Sequence, residues 1–201
     1  MQLKKKWLVG IDEAGRGPLA GPVSIGLVVL PAKRARSVFK GLKDSKHLAK
    51  KQREEWFLKF KADPEIFYAV TLVGSSIIDR LGISKAVKIG IGRVLKKTSG
   101  DFFAGRLKNC SKILLDGSLK APYGYDQKTI IKGDEKIGVI AAASVAAKVT
   151  RDRKMARFAE KFPKYGFEIH KGYGTGLHCR LIKKHGLCPI HRRSFLTKIL
   201  G

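Results

Sequence analysis

Four carboxylates occupy positions from which an active site can be built. Each one follows an apolar run or precedes a helix-forming stretch, and they are Asp12, Glu13, Asp116 and Asp134. The chain holds only 16 acidic residues against 42 basic ones, so the placement of the acidic residues is informative. In an open α/β sheet, ligands usually bind at the edge where the strands end. The spacing therefore predicts that these carboxylates converge at one edge of a sheet.

Converging carboxylates suit divalent metal ions. Negative charges that lie close together raise one another's pKa unless a cation lies among them, and oxygen ligands favour hard ions such as Mg²⁺ or Mn²⁺. Two such ions about 3.5–4 Å apart activate a water and stabilise the leaving oxygen of a phosphodiester. We therefore expect Mn²⁺ or Mg²⁺ as the cofactor, with two ions in the reacting complex.

Each carboxylate also has a simpler explanation. Aspartate commonly caps a following helix, which would account for Asp134, and Asp116-Gly117 is a common turn sequence. Asp12 and Glu13 are harder to explain in this way, because two adjacent charges after the apolar run 7–11 are costly unless they serve a function. The functional interpretation gains its strength from the sites taken together.

The elements that must hold these residues alternate between strands and helices. Apolar or alternating runs predict strands over 7–11, 23–30, 67–73, 112–115 and 128–131. Helical spacing and stop signals predict helices over 48–61, 83–97 and 137–161. The tail from Phe162 onward predicts loops and short helices packed on this layer. The pattern indicates an α/β fold in a single domain, 1–201, with 162–201 as a C-terminal extension.

Charge is the strongest feature of the composition. The net charge is +26 over 201 residues, without long basic blocks, and the isoelectric point is about 10.3. A solvated, soluble surface needs far less imbalance than this. The charge therefore favours binding to a polyanion such as nucleic acid, whose condensed counterions are released on binding.

The remaining composition is typical of a cytoplasmic protein. The short basic N-terminus does not resemble a secretory signal, and no apolar run is long enough to cross a membrane. Cys110, Cys179 and Cys188 form no CxxC pattern and indicate reduced thiols. A zinc site formed by Cys179, Cys188, His185 and His191 is a weaker alternative. We expect no membrane partner.

Sequence blocks along nearly the whole chain resemble the type-two ribonuclease H (ribonuclease HII) family. The opening block, Gly10-Ile-Asp-Glu-Ala-Gly-Arg-Gly-Pro-Leu-Ala-Gly-Pro-Val23, is the most specific because it matches without interruption. The other blocks follow in the family's order: Asp44–Lys46, Leu115–Gly117, Lys132–Asp134, Ala141–Arg153, His170–Thr175 and His191–Phe195.

The resemblance implies an RNase H-like fold, in which helices flank a mixed five-stranded β-sheet. It implies that Asp12, Glu13, Asp116 and Asp134 bind the metal ions and carry catalysis. The implied reaction is endonucleolytic hydrolysis of the RNA strand of RNA–DNA hybrids, including single ribonucleotides embedded in duplex DNA. The cut lies 5′ of the ribonucleotide and leaves a 3′-hydroxyl and a 5′-phosphate. Such an enzyme would serve ribonucleotide excision repair and DNA replication.

The resemblance also implies how the substrate is recognised. The loop of Gly15, Arg16 and Gly17 reads the 2′-hydroxyl, the group that distinguishes RNA from DNA at one position. Tyr173 stacks on the sugar of the following deoxynucleotide, although without the resemblance it would be interpreted as an ordinary turn tyrosine. The phosphate-contacting positions are Ser45, Lys46, Ser144 and Lys148, of which the last two are four residues apart and share a helix face.

Some positions stay open at this point. His170 and Lys171 are candidates for the border of the site. The residues His191, Arg192 and Arg193 could equally bind the nucleic-acid backbone or pack the tail. The chain departs from the family at His47, where lysine or glutamine is common, and at Glu135, which adds a charge beside Asp134. Residues 98–111 match no motif.

Two other assignments compete with this one. The type-three enzyme carries an N-terminal substrate-binding extension, for which a first motif at Gly10 leaves no room. A non-catalytic basic RNA-binding protein would explain the charge, but such a protein gains nothing from gathered carboxylates. We expect a monomer that binds RNA–DNA hybrid or ribonucleotide-containing duplex DNA. A replication clamp as a further partner stays open.

Overall fold

A mixed five-stranded sheet forms the centre of the computed structural model, which describes residues 7–42, 48–98 and 111–197. The strands are β1 (Trp7–Ala14), β2 (Val23–Pro31), β3 (Phe67–Val73), β4 (Ser111–Asp116) and β5 (Gln127–Ile130). Their order is β3-β2-β1-β4-β5. The pairs β1–β2 and β2–β3 are antiparallel, whereas β1–β4 and β4–β5 are parallel. The predicted strands and the mixed sheet are confirmed.

The first strand is longer than its apolar run predicts. Asp12 pairs with Gly26, Glu13 with Ile25 and Ala14 with Ser24 in the antiparallel register of β1 and β2. The strand was predicted to end at Asp12-Glu13, and pairing with β2 instead continues through both charged residues to Ala14. Both carboxylates consequently start from strand backbone rather than from a free loop.

Helices cover both faces of the sheet. In chain order they are α1 (Ala35–Val38), α2 (Lys50–Lys61), α3 (Ser75–Leu81), α4 (Ile83–Lys97), α5 (Gly133–Lys136), α6 (Gly138–Lys161), α7 (Phe167–His170) and α8 (Gly176–His185). One apolar core joins one sheet face to α3 and α4, and a second joins the other face to α2 and α6. The predicted helices are confirmed, while the short α1, α3 and α5 are additional.

The long helix α6 approaches the sheet unusually closely, which explains its alanine-rich sequence. A Cβ on Gly10 of β1 would lie 2.2 Å from the carbonyl oxygen of Val139, and one on Gly26 of β2 would lie 2.2 Å from that of Ala143. Only glycine allows such an approach of helix backbone to strand backbone. The contact carries Ser144 to the end of β1, beside Asp12.

The segment after Phe162 packs on the C-terminal half of α6. Met155 and Ala159 of α6 share a small apolar core with Tyr165 and Phe167. The predicted short helices of the tail are α7, α8 and two 3-10 turns. Across the described residues, no helix combines the length and the apolar character needed to span a membrane.

Candidate active site

Asp12 and Asp116 lie side by side at the ends of two parallel strands. The parallel register places Ile11 of β1 opposite Leu115 of β4, so the next residue in each strand is a carboxylate. Asp12 is 4% exposed, and the negative charges of Glu13 and Asp116 both act on it. The predicted convergence of these three residues follows from the parallel pairing.

Asp134 joins the same edge of the sheet through a backbone contact. The amide of Gly133 donates a hydrogen bond of 2.6 Å to the Asp116 carboxylate, which ties the start of α5 to the end of β4. Asp134 itself lies within α5 and is 1% exposed. Helix α6 begins after Ile137, so the interpretation of Asp134 as its capping residue is wrong.

The buried carboxylates are held in an electrostatically unfavourable arrangement. Burial and the neighbouring Glu13 raise the pKa of Asp12 well above its ordinary value, against hydrogen bonds from Ser144 and from the Glu13 amide that lower it. Burial likewise raises the pKa of Glu13. The guanidinium of Arg16, whose Nη1 lies 3.3 Å from Oε1 of Glu13, offsets part of this rise. A cation among these groups would relieve the repulsion.

The donor set fits a hard divalent ion. The side-chain oxygens of Asp12, Glu13, Asp116 and Asp134 are the type of ligand that Mg²⁺ and Mn²⁺ prefer. In the described part of the chain, the Oε2 atom of Glu13 is buried and accepts no hydrogen bond. The same part contains no group of three or more acidic, histidine or cysteine side chains already arranged around one metal position.

A cavity of about 350 Å³ opens beside Glu13. It brings together several predicted substrate contacts with the edge of the carboxylate site, and its lining residues are Glu13, Ala14, Gly15, Arg16, Arg53, Ser144, Lys148 and Tyr173. Gly17 lies exposed next to Arg16 in the same loop. Arg53 was not predicted, because nothing in the sequence separates it from the other basic residues of α2. Ser45 and Lys46 lie outside the described residues.

The aromatic wall of this cavity is Tyr173, which is 42% exposed. The Nζ atom of Lys148 lies 5.7 Å from its ring centre, and the guanidinium carbon of Arg151 lies 5.6 Å from it. Lys148 is also paired with Asp152 at 2.9 Å. A half-exposed ring beside Lys148 can stack on a sugar or base while that cation faces a phosphate. Arg151 is fully buried and supports the ring from below.

The glycine-rich loop is built into the core of the C-terminal segment. Gly15 has φ +88°, and a Cβ there would lie 2.0 Å from Nε of Arg151. His191 and Arg192 are buried beneath the loop, whereas Arg193 is exposed. His170 is also buried and accepts the amide of Gly172 at 3.1 Å. Of the two roles left open for the tail residues, His191 and Arg192 therefore have the packing role, because both are buried.

The basic surface continues beyond the cavity on the other side of Arg16. A second cavity of about 390 Å³ includes Arg16, Lys88 and Lys120 together with the hydroxyls of Ser84 and Ser118. The carboxylate edge is therefore bordered by cations on two sides, which suits a polyanionic strand lying across it.

Comparisons with known proteins agree with this geometry. The sequence profile of the family described as Ribonuclease HII matches residues 9–198. A relative named Ribonuclease HII from Endomicrobium trichonymphae is 46% identical over 191 residues, covering 94% of this chain and 84% of the relative.

Solved structures give the same result. The ribonuclease H2 of Pyrococcus horikoshii OT3 is similar with a TM-score of 0.68 and 29% identity, covering 96% of both chains. The RNase HII of Archaeoglobus fulgidus, solved in complex with PCNA, has a TM-score of 0.68 and 27% identity. That similarity covers 88% of this chain and 86% of the other.

Proposed function

The chain belongs to the ribonuclease HII family, and from this membership we propose that it cleaves at single ribonucleotides in duplex DNA as well as in longer hybrids. As a member of the family it is a ribonuclease H, an endonuclease that acts on RNA–DNA hybrids. The proposed cut lies 5′ of the ribonucleotide and leaves a 3′-hydroxyl and a 5′-phosphate. The catalytic domain in this proposal is the whole chain, 1–201.

One observation carries the proposal. The parallel pairing of β1 and β4 sets Asp12 beside Asp116, and the amide of Gly133 ties the helix of Asp134 to Asp116 at 2.6 Å. Burying carboxylates without partners costs free energy in any protein, and this protein otherwise carries a large positive charge. Their gathering is intelligible if they bind cations that act on a phosphodiester.

Asp12, Glu13, Asp116 and Asp134 are the residues that would hold Mn²⁺ or Mg²⁺. Two such ions, when bound, would supply an activated water and stabilise the leaving oxygen. Ser144 donates a hydrogen bond to Asp12 and so fixes the orientation of that carboxylate. Among the described residues, no histidine lines the cavity. The proposal therefore assigns no histidine as the proton acceptor.

Substrate contacts follow from the cavity beside Glu13. Tyr173 offers a face for the sugar that follows the ribonucleotide, and Lys148, four residues after Ser144 on α6, offers a cation for a phosphate. The backbone of Gly15, Arg16 and Gly17 supplies donors for the 2′-hydroxyl. Ser45 and Lys46 are further proposed phosphate contacts from the family resemblance.

The test removes a carboxylate charge without changing its shape. Asp116→Asn and Asp134→Asn should abolish cleavage of a hybrid while binding to the same hybrid survives. Glu160→Gln removes an exposed charge from α6 and serves as the control, which should cleave normally. A fully active Asp134→Asn would remove that residue from the proposed site.

The alternative is a basic protein that binds RNA without cleaving it. Full binding with no cleavage by the wild-type protein would favour this alternative. A sliding clamp is a candidate partner, because the Archaeoglobus fulgidus relative was solved in complex with PCNA. We propose that the protein is a monomer in solution and acts in the cytoplasm.

A further inference from the structure

Arg192 is a buried cation whose hydrogen bonds converge on the glycine-rich loop. Its side chain is 0% exposed. Nη2 donates to the carbonyl of Gly15 at 2.7 Å, Nη1 to that of Arg16 at 2.8 Å, and Nε to that of Gly21 at 2.9 Å. Within the described residues, its hydrogen-bond acceptors are all backbone carbonyls. The planar fork of a guanidinium can hold several acceptors in fixed positions, which an ammonium cannot do.

These bonds determine where the amides of the loop point. In a trans peptide, the C=O and the N–H of one unit point in opposite directions, and the described residues contain no cis peptide. The Gly15 carbonyl points inward to Arg192, so the Arg16 N–H points away from it. The Arg16 carbonyl does the same, so the Gly17 N–H also points away. In the described part of the chain, neither amide has an acceptor.

Two consecutive amides that point outward form a concave donor pair suited to an oxygen ligand. Their carbonyls accept charge-assisted hydrogen bonds, which are stronger than neutral ones. Hydrogen bonds in series polarise one another, so the outward N–H groups become better donors. The exposed position of Gly17 leaves this pair accessible, and Arg16 lines the cavity beside the carboxylates.

Other contacts hold Arg192 in place. Its own amide donates to Leu19 at 2.7 Å, and Ala20 forms an antiparallel bridge with His191. Arg151 supports the loop from α6 by donating to the carbonyls of Pro22 at 2.9 Å and Ala20 at 3.1 Å. Burial, and then the like charge of Arg151, lowers the pKa of Arg192. This charge is costly where it lies, and a negatively charged strand above the loop would offset part of that cost.

We propose that Arg192 is a positioning residue for ribose recognition, which orients and polarises the Arg16 and Gly17 amides toward the 2′-hydroxyl of the substrate. The proposal rests on the proposed function and adds to it a residue from the far end of the chain. Arg192 is fully buried and does not line the cavity beside Glu13. Its loss should therefore reduce the discrimination between ribonucleotide and deoxyribonucleotide, and leave metal binding intact.

The experiment compares Arg192→Lys with Arg193→Lys in the full chain. Lysine keeps the charge but cannot reach the three carbonyls together. Arg193, in contrast, is exposed, and among the described residues its side chain donates no hydrogen bond to the loop. Affinity is measured with Ca²⁺ for a DNA duplex with one ribonucleotide and for the same duplex in all-DNA form. Tm with and without Mn²⁺ reports folding and metal binding.

We expect Arg192→Lys to lower the ratio of the two affinities by about 10-fold, corresponding to one or two weakened hydrogen bonds. The affinity for all-DNA duplex and the Tm shift with Mn²⁺ should match those of Arg193→Lys. A folded Arg192→Lys with the wild-type ratio would overturn the proposal. So would equal losses in all three measurements, since these indicate a general collapse of the site.

A second variant tests the amide directly if Arg192→Lys does not fold. Gly17→Pro removes the outward N–H at an exposed position where an added Cβ would meet nothing within 4 Å. It should lower the same ratio, and an unchanged ratio would overturn the proposal. Wild-type protein that binds the two duplexes equally would contradict the proposed function itself. Wild-type discrimination that Arg192→Lys retains would contradict only the role of Arg192.

Discussion

Replacing Asp12 by asparagine should stabilise the protein in the absence of metal. Burial and the charge of Glu13 raise the pKa of Asp12. The folded protein therefore holds a proton at this group more tightly than the unfolded chain does. Stability that is present at low pH is lost as the pH rises through the raised pKa. Asparagine still accepts the Glu13 amide, which lies 2.7 Å from Oδ1 of Asp12, but it carries no charge.

The size of the effect follows from the burial of a charge without a counter-ion. Relieving it is worth on the order of 1–2 kcal/mol, which raises the Tm of a chain of this length by about 2–8 °C. If Mn²⁺ binds the folded protein, Mn²⁺ at about 100 times its Kd should stabilise the wild-type protein by about 2.7 kcal/mol. Asp12→Asn loses a proposed metal ligand and should gain much less from Mn²⁺. The advantage of the variant in EDTA should therefore shrink or reverse in Mn²⁺.

Calorimetry at pH 7.5 in EDTA and across a Mn²⁺ titration measures both quantities. Glu55→Gln, which removes an exposed charge from α2, is the control and should respond to Mn²⁺ as the wild type does. An Asp12→Asn protein that is less stable in EDTA and gains as much from Mn²⁺ as the wild type would refute the reasoning. Asp12 would then be neither strained nor a metal ligand.

Three further properties are expected. Burial lowers the pKa of His178 from 6.5 to about 4, so the unfolded chain takes up the proton first. Stability should therefore fall by roughly 2–3 kcal/mol as the pH drops from 6.5 to 4. His178→Asn should show a smaller slope of unfolding free energy against pH in this range. Gly26→Ala should destabilise by about 1–3 kcal/mol, because its Cβ would meet the Ala143 carbonyl oxygen at 2.2 Å. Affinity for duplex should fall steeply with salt, since the net charge is +26.

Each of these has a matched control or a contrary result. His185→Gln changes an exposed histidine on the same helix, α8, and should keep the wild-type acid slope; an unchanged slope in His178→Asn would contradict the assignment. Gly92→Ala meets open space in α4 and should stabilise, so equal effects of the two glycine changes would argue against the close packing of α6. A flat log–log salt plot would contradict binding through the phosphate backbone.

The parts of the fold with regular periodicity could be predicted from the sequence. Alternation places β3 at Phe67–Val73, and helical spacing places α4 at Ile83–Lys97, with both ends as the structure has them. The predicted end of β1 at Asp12-Glu13 falls one residue short, because two charged residues look like a strand terminus while backbone pairing with β2 continues to Ala14. Local composition cannot report a pairing that depends on a second strand.

The candidate site shows the same division. The carboxylates could be identified because acidic residues are rare in this chain and stand at element ends. Arg192 could not be assigned a role, because its acceptor Gly15 lies 177 residues away in sequence. A tail arginine appears as a surface charge until the fold places the loop above it. Residues 98–111, which match no motif, fall mostly outside the described residues.

Cleavage of a labelled DNA duplex that contains one ribonucleotide tests the central claim most directly. The wild-type protein is incubated with Mn²⁺, Mg²⁺ or EDTA, and the products are separated on a sequencing gel beside those of a long RNA–DNA hybrid. We expect a single metal-dependent cut just 5′ of the ribonucleotide, and no cut in EDTA or in all-DNA duplex. Absence of cleavage of both substrates with either metal would contradict the assignment of Asp12, Glu13, Asp116 and Asp134 as a catalytic metal site.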